Sequence, residues 1–169
     1  MRLDEITGVG RITAEVIIAE IGVDMSRFPT AAQLASWAGM APGNNESAGK
    51  RKSGKTRKGN FHLRRILVEA AQAAGHARNS YLGAQYHRLV PRRGKKKAAV
   101  AVGHSILVIV YHIIASGSSF QDLGADYFVR RNEDAVKSQA VHRLERMGFK
   151  VTLEPIVPAV TLDPVVPAA

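Results

Sequence analysis

Apolar residues recur at helical spacing along most of the chain, whereas residues 42–60 contain no aliphatic side chain larger than alanine. Near the N-terminus, Ile12, Val16 and Ile17 fit one face of a helix that Gly22 would end. A stretch that cannot bury an apolar face must be exposed, so residues 42–60 predict a loop or a small β-hairpin. The expected fold class is therefore mainly α, a helical domain around one exposed segment.

Two further helices follow from the same periodicity. Thr30 would cap a helix at about 31–38 with Trp37 against the core, and Asn60 would cap a longer helix that begins at Phe61. The apolar side of this longer helix comprises Leu63, Ile66, Leu67, Ala70, Ala71 and Ala74.

The helical domain is expected to cover residues 1–150. A polar helix at 134–147, with Val136 and Leu144 among its apolar positions, would close it. Repeated valine and proline then predict an extended or disordered tail at 151–169.

Residues 98–116 approach the length and apolarity of a membrane span. His104, Ser105 and His112 interrupt that stretch, and polar groups are costly in lipid, which favours a buried central helix without membrane contact. The N-terminus lacks the pattern of a signal peptide. The sequence has no cysteine, which excludes disulfides and thiolate metal clusters and fits a reducing compartment, so we expect a cytoplasmic protein.

Positive charge is concentrated in one block. Residues 50–97 hold 15 Lys or Arg and a single acid, Glu69, within a chain of net charge +10. Self-repulsion in such a block destabilises a fold unless a polyanion neutralises it, so nucleic acid is the expected partner. Within the block, residues 87–97 predict a basic connector because Pro91 and Gly94 interrupt them.

The segment ITGVGRITA at 6–14 has the glycine spacing of a helix-hairpin-helix element. Gly8 and Gly10 would let the backbone turn tightly and present amides to a phosphate at a helix N-terminus. We therefore predict a helix-hairpin-helix-like element at 4–22 that contacts a nucleic-acid backbone. The alternative is a plain turn between helices.

Residues 49–56, GKRKSGKT, match the phosphate-loop pattern of nucleotide-binding proteins letter for letter. A true phosphate loop follows a buried strand and opens a helix, whereas polar residues flank this match on both sides. Nucleotide hydrolysis is therefore not expected.

The basic segment and the helix start after it are predicted to bind phosphates. Lys and Arg side chains grip phosphates, and the helix N-terminus adds donors. Phe61 would either stack on a base or anchor in the core, and the alternative for the whole set is a solvated charged face. The predicted nucleic-acid-binding residues of this segment are Lys50, Arg51, Lys52, Lys55, Arg57, Lys58, Asn60, His62, Arg64 and Arg65.

Ser47 is the candidate nucleophile of the segment. A serine reacts only when its proton is removed and the developing charge is stabilised, and the neighbouring bases can stabilise a phosphodiester. His62 is a candidate base, although the sequence does not place it beside Ser47. On the residues alone, a turn serine without a catalytic role stays open.

These motifs together resemble the C-terminal domain of the insertion-sequence-110 type transposases. After the glycine hairpin come RFPT at 27–30, AGMAP at 38–42, Ser47 with a small residue and glycine, and KGNFHLRR at 58–65. The likeness covers at least residues 6–90.

The resemblance implies a DNA recombinase made of two cooperating parts. One part resembles a Holliday-junction resolvase and carries four acidic residues that bind magnesium, and the other carries a serine that links transiently to DNA. By motif, that serine is Ser47, followed here by Ala48 where a glycine is expected. Many members also use a noncoding bridge RNA to choose their DNA sites and act as homo-oligomers.

The sequence begins within a few residues of the glycine hairpin, so we expect the acidic domain to be missing. No cofactor is therefore expected in this chain, magnesium is expected only in the complete enzyme, and the chain alone should bind DNA without turnover. The alternative function is a noncatalytic nucleic-acid-binding helix-hairpin-helix module.

Overall fold

The computed structural model describes residues 2–43 and 45–154, and it confirms the mainly α class. The helices are α1 (Arg11–Ile21), α2 (Ala31–Trp37), α3 (Phe61–His76), α4 (Tyr81–Arg93), α5 (Lys95–Ser116), α6 (Tyr127–Arg131) and α7 (Glu133–Glu145), and the strands are β1 (Asn45–Ser47) and β2 (Lys50–Ser53). Short 3-10 turns at Leu3–Glu5 and Met25–Arg27 precede α1 and α2. Of the predicted tail, residues 151–154 form neither helix nor strand, and the rest lies outside the described residues.

The core forms where α3 and α5 cross, with α1 packed on α3, α2 on α5, and α4 on both central helices. The predicted apolar side of α3 is confirmed, since Leu63, Leu67 and three alanines of that side are buried. Gly103 of α5 lies so close to α3 that a side-chain carbon there would sit 3.0 Å from the Leu67 carbonyl oxygen. Small residues thus let the two central helices approach closely.

Within the described residues, α5 is the one helix long and apolar enough to cross a membrane by length and composition. Its side chains Val102, Ile106, Leu107 and Val110 are fully buried against neighbouring helices. The prediction of a buried central helix is therefore confirmed for this fold.

The prediction of a connector at 87–97 is wrong. α4 continues through Pro91 to Arg93, and α5 begins at Lys95, directly after Gly94. Pro91 lies in the last turn of α4, where its missing N–H removes only one helical hydrogen bond, and Gly94 turns the chain with a φ of 78°. The basic residues of this segment consequently lie on two packed helices.

Two further local predictions are wrong. Trp37 is 43% exposed and packs on Phe28, with ring centroids 5.3 Å apart, because it lies on the outer side of short α2. α7 buries none of its residues, and its apolar Val136 and Leu144 are 40% and 42% exposed. α7 belongs to a second compact unit that begins at Asn132, after the first ends at Arg131. The predicted extent of the domain stays a prediction.

Candidate nucleic-acid interface

The basic segment forms a β-hairpin with Ser47 next to its tip. β1 and β2 pair antiparallel with Ser47 opposite Lys50, and Ala48 and Gly49 form the turn between them. Both turn residues have positive φ, 51° for Ala48 and 71° for Gly49, as the tight turns that match strand twist require. The Ser47 side chain is exposed in this position.

Ala48 adopts a backbone conformation that glycine tolerates better. We expect Ala48→Gly to slow amide hydrogen exchange in the hairpin roughly two- to five-fold, because relief of left-handed strain exceeds the added entropy of the unfolded chain. Ala48→Val is the matched control and should accelerate exchange, since a branched side chain is strained further. Faster exchange in the glycine variant would contradict this turn geometry.

The base of the hairpin is closed by backbone contacts that are separate from the β1–β2 pairing. Pro42 pairs with Thr56, and the Gly43 N–H donates to the Lys55 carbonyl oxygen at 3.0 Å. The pairing of β1 with β2 is irregular near this base, because Asn45 is opposite Ser53 whereas Glu46 is opposite Arg51. Such a bulge bends and twists a hairpin, so it sets the direction in which the tip projects.

A close crossing of two backbone segments anchors the hairpin to the helical core. A side-chain carbon at Gly39, which follows α2, would lie 2.8 Å from the Gly59 nitrogen. A side-chain carbon at Gly59 would overlap the backbone of Ala38 and Gly39. The AGM and KGN sequences are therefore the two sides of one contact that tolerates no side chain.

Arg64 ties this crossing together from α3. Its Nη1 donates to the Gly39 carbonyl oxygen at 3.1 Å and lies 3.5 Å from the Arg57 carbonyl oxygen. These carbonyls belong to the two segments that cross, so the half-buried guanidinium bridges them. The geometry gives Arg64 a role in positioning the hairpin, whereas the sequence predicts phosphate binding.

Asn60 is also engaged within the fold. Its Oδ1 accepts a hydrogen bond from the Leu63 N–H at 2.9 Å, and its Nδ2 donates to Glu20 of α1 at 2.6 Å. The predicted cap of α3 is thereby confirmed, as is that of α2, where Thr30 accepts from the Gln33 N–H at 3.2 Å.

The other predicted phosphate-binding residues differ in exposure and pairing. Arg65 is paired with Glu69 along α3 at 3.1 Å, and the side chains of Arg51 and Lys52 lie outside what the structure describes. Phe61 is 69% exposed, so the core-anchor alternative is wrong. The exposed members of the set are Lys50, Lys55, Arg57, Lys58, His62 and Arg65.

The candidate base is not in a described contact with the candidate nucleophile. His62 lies in the first turn of α3, and its ring packs edge-on against Phe61 with centroids 5.6 Å apart. Ser47 lies next to the hairpin tip, beyond the base that the Pro42–Thr56 pair closes. The described contacts therefore leave the base for Ser47 unassigned.

The hairpin also accounts for the phosphate-loop match. Residues 49–56 form the end of the turn, β2 and the return to the hairpin base. A strand-to-helix loop with its amides wrapped around a phosphate is not formed by these residues. The letter match is consequently coincidental.

The two N-terminal glycines have different surroundings. Gly8 has a φ of 87° and lies against α3, where an added side-chain carbon would overlap Ala70 and Ala74. Gly10 is open, precedes α1, and provides no side-chain cap for its first turn. At that turn Arg11 bonds Glu15 at 2.9 Å, and this bond raises the pKa of the guanidinium. Gly8 is thus required for packing, whereas Gly10 is exposed.

A groove of about 910 Å³ lies between the hairpin base and the α4–α5 corner, where Gly94 joins the two helices. Its basic side chains come from three parts of the chain and are Lys55, Arg64, Arg93, Lys96 and Lys97. Arg93, Lys96 and Lys97 are absent from the predicted binding residues. The basic run PRRGKKK at 91–97 is the sequence signal that could have identified them. The fold therefore joins two basic stretches of the sequence around one concave surface, which concentrates positive potential.

The described residues do not form a metal site. No group of three His, Asp or Glu side chains in this part of the chain is arranged to hold a metal ion. A magnesium ion needs carboxylate and water oxygens in a nearly octahedral arrangement, so the described residues do not fit one.

Comparison with known proteins identifies the family. Residues 1–87 match the model of the Transposase IS116/IS110/IS902 family. A protein of Sinorhizobium fredii that is named as a transposase, y4pF/y4sB, is 33% identical over 125 residues, which are 71% of this chain and 32% of that protein. The uncharacterized 43.6 kDa protein of insertion element IS110 from Streptomyces coelicolor is 31% identical over 123 residues, 70% of this chain and 29% of its own.

No solved structure matches the chain. The chain spans about a third of the length of the two curated relatives it matches. The matched family segment contains α1, α2, the whole hairpin, α3 and the first half of α4. The chain belongs to the IS116/IS110/IS902 family of transposases.

Proposed function

We propose that this chain is the DNA-engaging, serine-bearing part of a transposase that exchanges DNA phosphodiesters. The observation that carries the proposal is the convergence of cations at the hairpin base and the α4–α5 corner, below an exposed tip that holds Ser47. Phosphates neutralise such a surface and release its counterions, which favours binding without reading base sequence.

In the proposed reaction, Ser47 Oγ attacks the phosphorus of a DNA phosphodiester. A P–O bond to serine forms while the P–O bond to one strand breaks, and the serine proton ends on the departing sugar hydroxyl. Attack by the hydroxyl of another strand then reverses the step and restores the serine. Lys50, which faces Ser47 across the hairpin, stabilises the negative charge that develops at the phosphate.

The remaining parts of the proposal concern components beyond this chain. Magnesium and its acidic ligands would be supplied by a separate domain, and the chain alone would bind nucleic acid without turnover. DNA, a bridge RNA and further copies of the transposase would be its partners in the cytoplasm.

A noncatalytic nucleic-acid-binding module is the second candidate. It is favoured by the internal engagement of Asn60 and Arg64 and by the absence of a described contact between Ser47 and His62. Both candidates predict binding through the same basic surface, so they differ only in the role of Ser47.

Binding is tested by removing three exposed charges of the hairpin and its base. We expect the triple variant Lys50→Gln, Lys55→Gln and Lys58→Gln to bind duplex DNA more weakly and with a flatter salt dependence. Each lost phosphate contact lowers the slope of log affinity against log salt by about 1. Fluorescence anisotropy with a labelled duplex at several salt concentrations measures both effects.

The matched control removes the same charge from the second unit, at Arg143, Arg146 and Lys150, which are exposed there. Affinity and slope should then stay close to wild type. Equal losses in the two triple variants would mean that net charge alone drives binding, and no binding by wild type would refute both candidates.

A further inference from the structure

Two polar atoms in residues that line the groove have no hydrogen-bond partner among the described residues. They are Gln85 Oε1 of α4 and His104 Nδ1 of α5, and both are buried. Folded proteins pair most of their buried polar atoms, so two such atoms beside one groove call for an explanation. The basic side chains of the groove indicate what kind of ligand would bind there.

The hydrogen bonds around Gln85 fix the chemical character of its free atom. Gln85 Nε2 donates to Ser105 Oγ at 2.9 Å, and Ser105 Oγ donates to the Ala101 carbonyl oxygen at 3.3 Å. Because the hydroxyl has one proton and uses it on the carbonyl, it accepts from the amide nitrogen. With the amide in this orientation, Gln85 Oε1 is the acceptor left over, and it suits a ligand that donates a hydrogen bond.

The walls of the groove combine two further kinds of surface. Met40, Leu89 and Val100 contribute apolar side chains, whereas Lys96 and Lys97 contribute positive charge from the first turn of α5. A volume of about 910 Å³ lies within the usual range for small-ligand pockets. The ligand thus has a flat or apolar body, a hydrogen-bond donor and a negative charge.

We propose that the groove binds one unpaired nucleotide of the nucleic acid held by the hairpin. The base lies between the apolar walls, its exocyclic amino group donates to Gln85 Oε1, and His104 Nδ1 contacts the base edge. The flanking phosphates lie against Lys96 and Lys97. The terminal torsions of Gln and His are soft, so both side chains can rotate toward the base, and in that rotation Gln85 Nε2 gives up its hydrogen bond to Ser105 Oγ. This inference rests on the proposed nucleic-acid binding and adds a nucleotide taken out of the helical stack.

The test compares three labelled duplexes that differ at one position: fully paired, with one bulged adenosine, and with one bulged abasic unit. We expect the full chain to bind the bulged adenosine roughly ten-fold more tightly than the abasic bulge, the value of a hydrogen bond to a buried polar atom. DNA and RNA versions of each duplex show which strand chemistry supplies the nucleotide.

Gln85→Leu should remove this preference while leaving affinity for the fully paired duplex within about two-fold of wild type. Gln72→Leu on the exposed side of α3 is the matched control and should keep the preference. His104→Gln is a second variant with a smaller change in volume, and circular dichroism verifies that each variant is folded.

The outcomes separate this inference from the proposed function. Equal affinity of wild type for the adenosine and abasic bulges, with intact binding of paired duplex, overturns the nucleotide site alone. Retention of the preference in both folded groove variants also overturns it. Failure to bind any of the duplexes refutes the proposed nucleic-acid function itself.

Discussion

Gly59→Ala is expected to destabilise the fold by about 3 kcal/mol or more, an effect that denaturant unfolding followed by circular dichroism measures. The added carbon would overlap the backbone of Ala38 and Gly39, and backbone atoms cannot move aside as a flexible side chain does. The end of α2 must therefore separate from the start of α3, and the Arg64 bridge across the crossing is lost with it.

Gly10→Ser provides the control for this change, because an added side-chain carbon at Gly10 meets nothing within 4 Å. Its φ of −85° suits any residue, and serine is a good helix cap, so stability should not fall. A Gly59→Ala variant as stable as wild type would show that the two segments do not cross as described.

The same variant connects stability to function. The crossing holds the hairpin base, so a Gly59→Ala protein that is kept folded at low temperature should still bind DNA less tightly. The hairpin would then be free to move relative to the cations of the α4–α5 corner, and binding would have to pay the entropy of ordering it.

The helices of the core could be predicted from the sequence because their signals are local. In α3, apolar residues recur at helical spacing, and Asn60 is a strong capping residue immediately before Phe61. The same holds for α5, where two histidines and a serine within the apolar run favoured a buried helix. Periodicity and capping need only a few neighbouring residues, which is why these elements were accessible.

Local signals misled where tertiary packing opposed them. Pro91 and Gly94 are typical of a connector, yet α4 packs on α3 and α5 and tolerates the proline in its last turn. Periodicity also suggested an apolar face for α7, but among the described residues of its compact unit none is packed over Val136 closely enough to bury it. A pattern gives the possible face of a helix, whereas burial depends on what the chain places against it.

The glycine crossing and the groove could not be predicted, since both join residues far apart in the sequence. Gly39 and Gly59 have no shared local pattern, and their contact appears only when α2 and α3 are packed. Similarly, Gln85 and His104 belong to different helices, and a basic run has the same composition on a flat face as beside a groove. Position in space, more than residue type, makes these residues candidates for binding.

The largest functional effect is expected at Ser47. If Ser47 Oγ is the nucleophile, Ser47→Ala removes the atom that forms the bond to phosphorus and should lower strand exchange by at least about a thousand-fold, as for other nucleophiles. Binding should be nearly unchanged, because the exposed hydroxyl is one neutral group among many exposed cations, and cations dominate phosphate binding. Loss of turnover with retained affinity is the pattern that distinguishes a catalytic residue from a binding module.

Ser36→Ala is the matched control, since Ser36 is also exposed but lies on α2 away from the hairpin tip. It removes the same hydroxyl group and should leave both exchange and binding at wild-type levels. A similar loss in the two variants would point to a general effect on folding, which circular dichroism detects.

The most direct measurement is strand exchange by a complete family transposase in which residues 6–90 of this chain replace the matching segment. The chimera with Ser47 should exchange strands and form a covalent protein–DNA adduct, whereas the chimera with Ser47→Ala should do neither while binding DNA with unchanged affinity. The contradicting result is strand exchange by the alanine chimera at a rate within roughly a few-fold of the Ser47 chimera. Ser47 would then have no catalytic role, and the noncatalytic nucleic-acid-binding module would be the better account.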